Sequence, residues 1–492
     1  MLLLGIDIGT SACKTAVFTK DGTVVCEASE EYKVYYPKEG YAEQNPLEWY
    51  DAICNCIKKI CMKVNAEDIQ AIGIDGQSWS CIPIDHNGNV LFNTPIWFDT
   101  RASFECDYLK KTIGEDEIYN VCKNPIEPMY TTPKVLWFKN NKPEIYKDTA
   151  CFLQSNSYIA YRLTGELLQD KSMGYGHFFY NMEKGEYDGD LAEKMEIDLS
   201  RFPKIADCHK IVGEITKKAS IETGLKIGTP VVIGGVDAAC GTLGAGVYKA
   251  GQTQEQGGQA GGMSICQDGP IGDKRLILGN HVIPGLWLLQ GGTVGGGSAI
   301  KWFSEQFGDS FLKSEGNIFQ AIDREAEEIP PASEGTIFLP YMNGERSPIW
   351  DVNAKGVYYG LSFSKTRAHL ARATMEGVAF ALRHNLDVAY SAGAKIDRLY
   401  TMGGSANSKL WTQIKSDVTK LPIVAMNSDN ASTLGAVILA GIGTGIYKSY
   451  EEAVEMTLSV KREHQPVYYP EYDRAYEKYL KIYKCLKGVM QE

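Results

Sequence analysis

The chain opens MLLLGIDIGTSACKTAVF, and no later stretch restricts its folding options as much. Leu2 to Asp7 reads as a buried strand, Lys14 to Thr19 as a second, and Asp21-Gly22 as the turn leading to Thr23–Cys26. A buried strand that ends on a lone aspartate beside Gly9, Thr10 and Ser11 carries charge out of a core and surrounds it with small residues. Other strands repeat the device. Ile69 to Ile74 ends at Asp75-Gly76-Gln77, and Pro230 to Gly235 ends in Asp237 ahead of AACGTLGAG. Ile96 to Asp99 reads as another, ending in an aspartate close to Arg101. Open α/β sheets build ligand sites at the carboxyl ends of their strands, so the pattern predicts an α/β fold with a polar crevice.

With 492 residues, two domains are expected, and the glycine-containing VYKAGQ at 247–252 is the boundary, giving 1–246 and 247–492. The second half also opens with a strand and a glycine turn, a weak structural repeat of the first. Trp49 to Val64 has helical spacing, with Trp49, Ile53, Ile57 and Ile60 on one stripe. A long helical run follows from His369 to Ala389, and residues 465–492 read as an amphipathic helix able to pack on either domain. Apolar residues are 44% and charged residues 23%, the balance of a soluble globular protein. The net charge of -11 argues against non-specific binding to nucleic acid or anionic membranes, while a small anion can still be held by backbone dipoles. Thirteen cysteines, scattered and without a CxxC pair, suit reduced thiols in a cytoplasmic protein. The initial MLLL is too short for a signal sequence, and no apolar run reaches the roughly 18 residues of a membrane span.

Three stretches carry candidate chemistry. Asp7, with the hydroxyls and amides of Thr10 and Ser11, suits a hydrated Mg²⁺ near phosphates; the same stretch also reads as a turn-capping aspartate. Asp237 meets a helix N-terminus, which favours its ionised form, and could take the proton of an attacking hydroxyl; it also reads as a simple N-cap. The glycine-rich runs QTQEQGGQAGGMSI and LLQGGTVGGGSAIKWF can hold phosphates with backbone N–H groups. Neither a Walker A motif nor a convincing GxGxxG is present, which disfavours P-loop and Rossmann folds. MGGSAN, Met402 to Asn407, admits a flat base beside Asn407, or is a tight strand-to-helix turn.

GIDIGTS, GGVDAACGTLGAG, NGERSPIWD, GVYYGLSFSKTRAHLARATMEG and MGGSANSKLW occur in this order along the chain. Together they resemble the FGGY carbohydrate kinases, a branch of the actin-like ATPase superfamily, over essentially the full length. Within that family the xylulokinases look most similar, through NGERSPIWD and MGGSANSKLW. The resemblance implies two actin-like, ribonuclease H-like domains around a central cleft, with ATP and Mg²⁺ as cofactors. It implies a sugar as the small-molecule partner, D-xylulose first, and often a homodimer.

By position, the resemblance makes Asp237 the catalytic base and Asp7 the metal residue, with Thr10 and Ser11 in the first phosphate loop. Gln77, Trp79, Trp97 and Asp99 would surround the sugar. Gly258 and Gly261 would form the second phosphate loop, Gly295, Gly296 and Gly297 would shape the nucleotide side, and Gly403, Gly404 and Asn407 would hold the adenine. The chain departs from the family in three places. Gln259 and Ala260 replace the usual Thr-Ser of the second phosphate loop, Ser78-Trp79 replaces Met-His after Gln77, and Ala238 replaces a polar amide after Asp237. The rival readings are a kinase for ribulose, a tetritol or an aldonate, and an actin-like nucleotide sensor that transfers nothing.

Overall fold

The computed structural model describes residues 1–308, 317–427 and 430–491. Two mixed sheets dominate it. The first takes β1 (Leu2–Ile8), β2 (Ala12–Thr19), β3 (Val24–Glu31), β4 (Ile69–Gly76), β5 (Ile211–Glu214) and β6 (Pro230–Val236), in the order β5-β6-β4-β1-β2-β3. The second takes β7 (Gln252–Glu255), β8 (Gly261–Gln267), β9 (Ile277–Asn280), β10 (Trp287–Thr293), β11 (Arg398–Thr401), β12 (Ile423–Met426) and β13 (Val460–His464), in the order β9-β10-β8-β7-β11-β12-β13.

The two sheets share a plan. β1 pairs antiparallel with β2 and parallel with β4, which pairs parallel with β6. Likewise β7 pairs antiparallel with β8 and parallel with β11, which pairs parallel with β12. The repeat that is faint in sequence is therefore explicit in topology, and this is the doubled α/β architecture expected of an actin-like fold.

The principal helices are α1 (Pro46–Cys61), α2 (Thr131–Asn141), α3 (Asp237–Gly244), α4 (Gly297–Phe307), α5 (Arg367–Ser391), α6 (Lys409–Thr419), α7 (Ala431–Gly443) and α8 (Pro470–Met490). α1 begins earlier than the apolar stripe suggests, because the Asn45 side chain caps the Leu47 N–H and Pro46 presets the first turn. Trp49, Ile53, Ile57 and Ile60 are all buried against the first sheet's outer core. The closing α8 packs on the second half, where Tyr472, Tyr476 and Tyr479 join a cluster with Phe380 of α5. The expected strand at Ile96–Asp99 does not form. Only Thr94–Pro95 is extended, and the chain then turns, with Asp99 N–H donating to the Ile96 carbonyl.

The halves are not separable units. α7, from the second half, lies on the first sheet, and its apolar residues are buried on every side from Thr433 to Gly441. Glycine makes this approach possible. A Cβ at Gly5 would stand 2.6 Å from the Thr433 carbonyl, and one at Gly73 would overlap that of Ala436. α3 and α7 meet in the same way, with Gly435 against the Cys240 carbonyl and Gly244 against that of Ala431. At the start of α7, Asn430 is gripped by Lys14 and Glu27 of the first sheet.

Substituting Gly435→Val drives a side chain into backbone that has nowhere to move. A loss of about 1–3 kcal/mol is expected, read as a lower melting temperature. Gly488→Ala, in α8 with open space around the added carbon, is expected to be neutral or to raise stability by up to about 1 kcal/mol in the same assay.

Candidate active site

Strand register brings the acids together. Asp7 on β1 pairs with Asp75 on β4, and Gly235 and Val236 on β6 pair with Asp75 and Gly76. Asp237 is the next residue after β6. Three carboxylates thus leave three adjacent parallel strands at the same end of the sheet. Asp75 is fully buried, and among the described residues no N–H or hydroxyl donor satisfies either of its oxygens or the solvent-sealed Oδ1 of Asp7.

This crowding governs their protonation. Burial and the charge of Asp7 push Asp237 up to about 7, against the Ala238 N–H, which donates to its Oδ1 at 2.7 Å. Burial pushes Asp7 up to about 6, with Asp75 and the charge of Lys14 opposing. Asp75 rises well above the ordinary carboxylate range through burial and the neighbouring charge of Asp7. The expectation that a helix start would favour ionised Asp237 is therefore corrected. α3 does begin there, but burial and a like charge outweigh its first amide.

A cleft of about 240 Å³ opens at Asp237. From the first half it is lined by Thr10, Ser78, Trp79, Trp97 and Tyr175. From the second come Gln256, Gln290, Arg346, Ser347 and Trp350. The volume lies below the roughly 300–1,000 Å³ of drug-sized sites, which suits a small metabolite. Trp97 donates its indole N–H to Thr10 Oγ1 at 2.9 Å, tying an aromatic wall to the first loop. The indole N–H of Trp79 is buried with no well-formed hydrogen bond among the described residues, and its ring meets those of Tyr130 and Tyr175 at 4.4 and 5.4 Å. The Arg346 guanidinium reaches the Thr293 carbonyl at 3.3 Å and makes no ion pair among the described residues, while its main-chain N–H donates to the Glu345 carboxylate at 2.8 Å.

Two of the expected sugar residues do not line this cleft. Asp99 is fully buried, and its carboxylate accepts from the Ala42 N–H at 2.6 Å and from the Arg101 guanidinium, which also reaches Glu43. Gln77 is buried beneath the first loop and donates to Gln44 Oε1 at 2.8 Å, while Gln44 donates to the Thr10 carbonyl. Both support the loops that form the cleft. Tyr175, Gln256, Gln290, Arg346 and Trp350 were not singled out from sequence. NGERSPIWD contained two of them, but isolated residues between loops carry no periodic signal.

On the second sheet, Gly258, Gln259 and Ala260 form an exposed turn between β7 and β8. Its carbonyls at Gly258 and Gln259 accept from Gly297 N–H (2.8 Å) and Ser298 N–H (3.0 Å) at the start of α4. Gly296 is pressed against Ala260 and Gly261, and Gly295 against Pro340. These glycines serve chain-to-chain contact first, since any Cβ would collide. Gly261 opens β8. Gly403 holds φ 71° and ψ -153°, a conformation reserved for glycine, and Gly404 faces open space. Asn407 accepts from Lys461 Nζ at 2.7 Å. Below the two loops, Glu255 at the end of β7 is paired with Lys415 (2.6 Å) and accepts from Thr401 (2.5 Å) at the end of β11. Ser11 lies exposed at the tip of the β1–β2 turn.

Comparison with known proteins agrees with this architecture. The N-terminal domain of the FGGY family of carbohydrate kinases matches residues 2–244, and its C-terminal domain matches 269–444. A xylulose kinase of Staphylococcus epidermidis (strain RP62A) is 30% identical over 489 residues, covering 99% of this chain and 96% of the relative. A gluconokinase of Bacillus subtilis is 28% identical over 471 residues, covering 94% and 92%. Among solved structures, a xylulose kinase from Rhodospirillum rubrum superposes with a TM-score of 0.91 at 27% identity, covering all of both chains. The chain belongs to the FGGY family of carbohydrate kinases. It is a phosphotransferase that uses ATP and a sugar, which sets aside the reading as a nucleotide sensor without enzymatic activity.

The crowded acids make a stability prediction. Folded-state values raised above 3.8 stabilise the fold below about pH 4, and that contribution is lost as pH rises through 6 and 7. Asp75→Asn is therefore expected to raise the melting temperature of the ligand-free protein at pH 8, by a margin that narrows at pH 5.5 in a calorimetric series.

Proposed function

We propose that this kinase transfers the γ-phosphoryl group of ATP to a hydroxyl of a ketopentose such as D-xylulose, with Asp237 as general base. One observation carries the reading: Asp237 borders a small cleft walled by Trp79, Trp97 and Tyr175, one residue beyond the strand that abuts Asp75. Aromatic faces pack on the C–H groups of a sugar, and the N–H of Trp79 and the amides of Gln256 and Gln290 read its hydroxyls. The xylulose kinases among the relatives support the choice of acceptor.

The Asp237 carboxylate accepts the hydroxyl proton as that oxygen bonds to phosphorus, the bond from phosphorus to the bridging oxygen breaks, and ADP leaves. Thr10, Ser11 and the amides of Gly258–Gly261 are the phosphate-holding groups, and backbone suffices where Gln259 and Ala260 offer no hydroxyl. The open face at Gly403 and Gly404, beside Asn407, takes the adenine. The oxygens of Asp7 and Asp75 that no donor satisfies among the described residues fit a cation. A Mg²⁺ ion that keeps several of its waters asks for only one or two protein carboxylates. Asp7 would hold it, and the ion would neutralise phosphate charge.

A second reading has its own observation. Arg346 lines the cleft with a guanidinium that makes no ion pair among the described residues, which suits an aldonate acceptor, and gluconokinases are among the relatives. An ADP-release assay across D-xylulose, D-ribulose, a tetritol and gluconate separates the two.

Asp237→Asn is expected to lower kcat by about 10²–10⁴-fold with a native melting transition. Because the base must be ionised and lies at about 7, kcat/KM of the parent is expected to fall as pH drops below about 7. A base at the ordinary value of 3.8 would instead leave the profile flat through pH 5.

A further inference from the structure

Beneath the aromatic walls lies a lysine that the chemistry does not use. Lys134, on α2, is fully buried. Its Nζ donates to two main-chain carbonyls, those of Trp79 at 2.9 Å and Ile96 at 2.7 Å. The first carbonyl belongs to the residue that supplies one wall of the cleft, and the second immediately precedes Trp97, which supplies another. No carboxylate forms an ion pair with Lys134 among the described residues. The neighbouring charges, Asp99 and Arg101, are bonded to each other.

Two further observations converge here. Trp79 holds φ 60°, left-handed backbone that a bulky residue keeps only when its surroundings enforce it. The start of α2 also grips the third aromatic segment, for the N–H groups of Thr131 and Thr132 donate to the Gly176 carbonyl beside Tyr175. An apolar residue would suffice to fill a core. A buried ammonium with its N–H groups directed at two loops instead fixes their separation. Burial lowers Lys134 to about 7, with the charges of Asp99 and Cys81 opposing and that of Arg101 assisting. A neutral amine would still carry two N–H donors, so both contacts survive its titration.

We infer that Lys134 is a positioning residue for the acceptor sugar, setting the distance between the Trp79 and Trp97 walls through their backbones. This rests on the reading that those walls face the acceptor. Steady-state kinetics of the full chain with the best acceptor of the panel tests it, using Lys134→Met, which cannot donate, and Lys134→Gln, which keeps one amide group. The expected result is an acceptor KM raised at least tenfold in Lys134→Met and less in Lys134→Gln, with the KM for ATP within twofold of the parent. An unchanged acceptor KM in either folded variant, or a loss confined to kcat, would overturn the inference. So would failure of both variants to show a native melting transition, which would make Lys134 a folding residue only. Trp79→Ala separates the two levels. If it too leaves acceptor KM unchanged, the reading of the cleft fails; if it raises KM while the Lys134 variants do not, only the positioning role fails.

Discussion

Helix α3 touching helix α7 backbone to backbone is the contact on which the active arrangement depends. Asp237 is the first residue of α3, so whatever fixes that helix fixes the carboxylate proposed as base. Gly244 and Gly435 let the two helices approach until only hydrogen separates their chains, and Gly5 and Gly73 let α7 rest on the first sheet. Dispersion forces fall off steeply with distance, so a gap of even an ångström would forfeit much of this contact. The cleft therefore has one wall set by main chain rather than by adjustable side chains.

The strands were legible because their ends are marked. Apolar runs closing on Asp7, Asp75 and Asp237 predicted the strands and the end of the sheet at which their acids gather. Asp99 misled for a physical reason: an aspartate after an apolar run looks the same whether it meets solvent or a buried guanidinium. Only Arg101, two residues on, distinguished the cases, and its reach to Glu43 is a long-range fact that no local pattern encodes. Arg346, Gln256 and Tyr175 were hidden similarly, each on an irregular segment that tertiary packing alone brings to the cleft. The glycines at 295–297 also meet a packing need, since Gly295 is pressed against Pro340, Gly296 against Ala260 and Gly297 against the Gly258 carbonyl.

The doubled plan also shows how two equivalent positions diverge. Asp7 and Glu255 end the first strands of their respective sheets. In the second sheet the carboxylate is matched by Lys415 and Thr401, so the charge is satisfied and the loops of β7 and β11 are bound to one another. In the first, Asp7 stands between Asp75 on one neighbouring strand and Lys14 on the other, and the Lys14 ammonium is engaged by Asn430 and Glu27 instead. One half has made its acid structural, and the other has left it available.

That availability has a thermodynamic corollary. With Asp7 pushed up to about 6 and Asp237 to about 7, the ligand-free acids hold a share of protons near neutral pH that a cationic occupant would displace. Ligation then becomes a proton-release event. Its measured heat would vary with the ionisation enthalpy of the buffer, and its affinity would tighten as the medium becomes more alkaline. A strand-end geometry visible in the first eight residues thus reaches as far as the calorimetry of the whole enzyme.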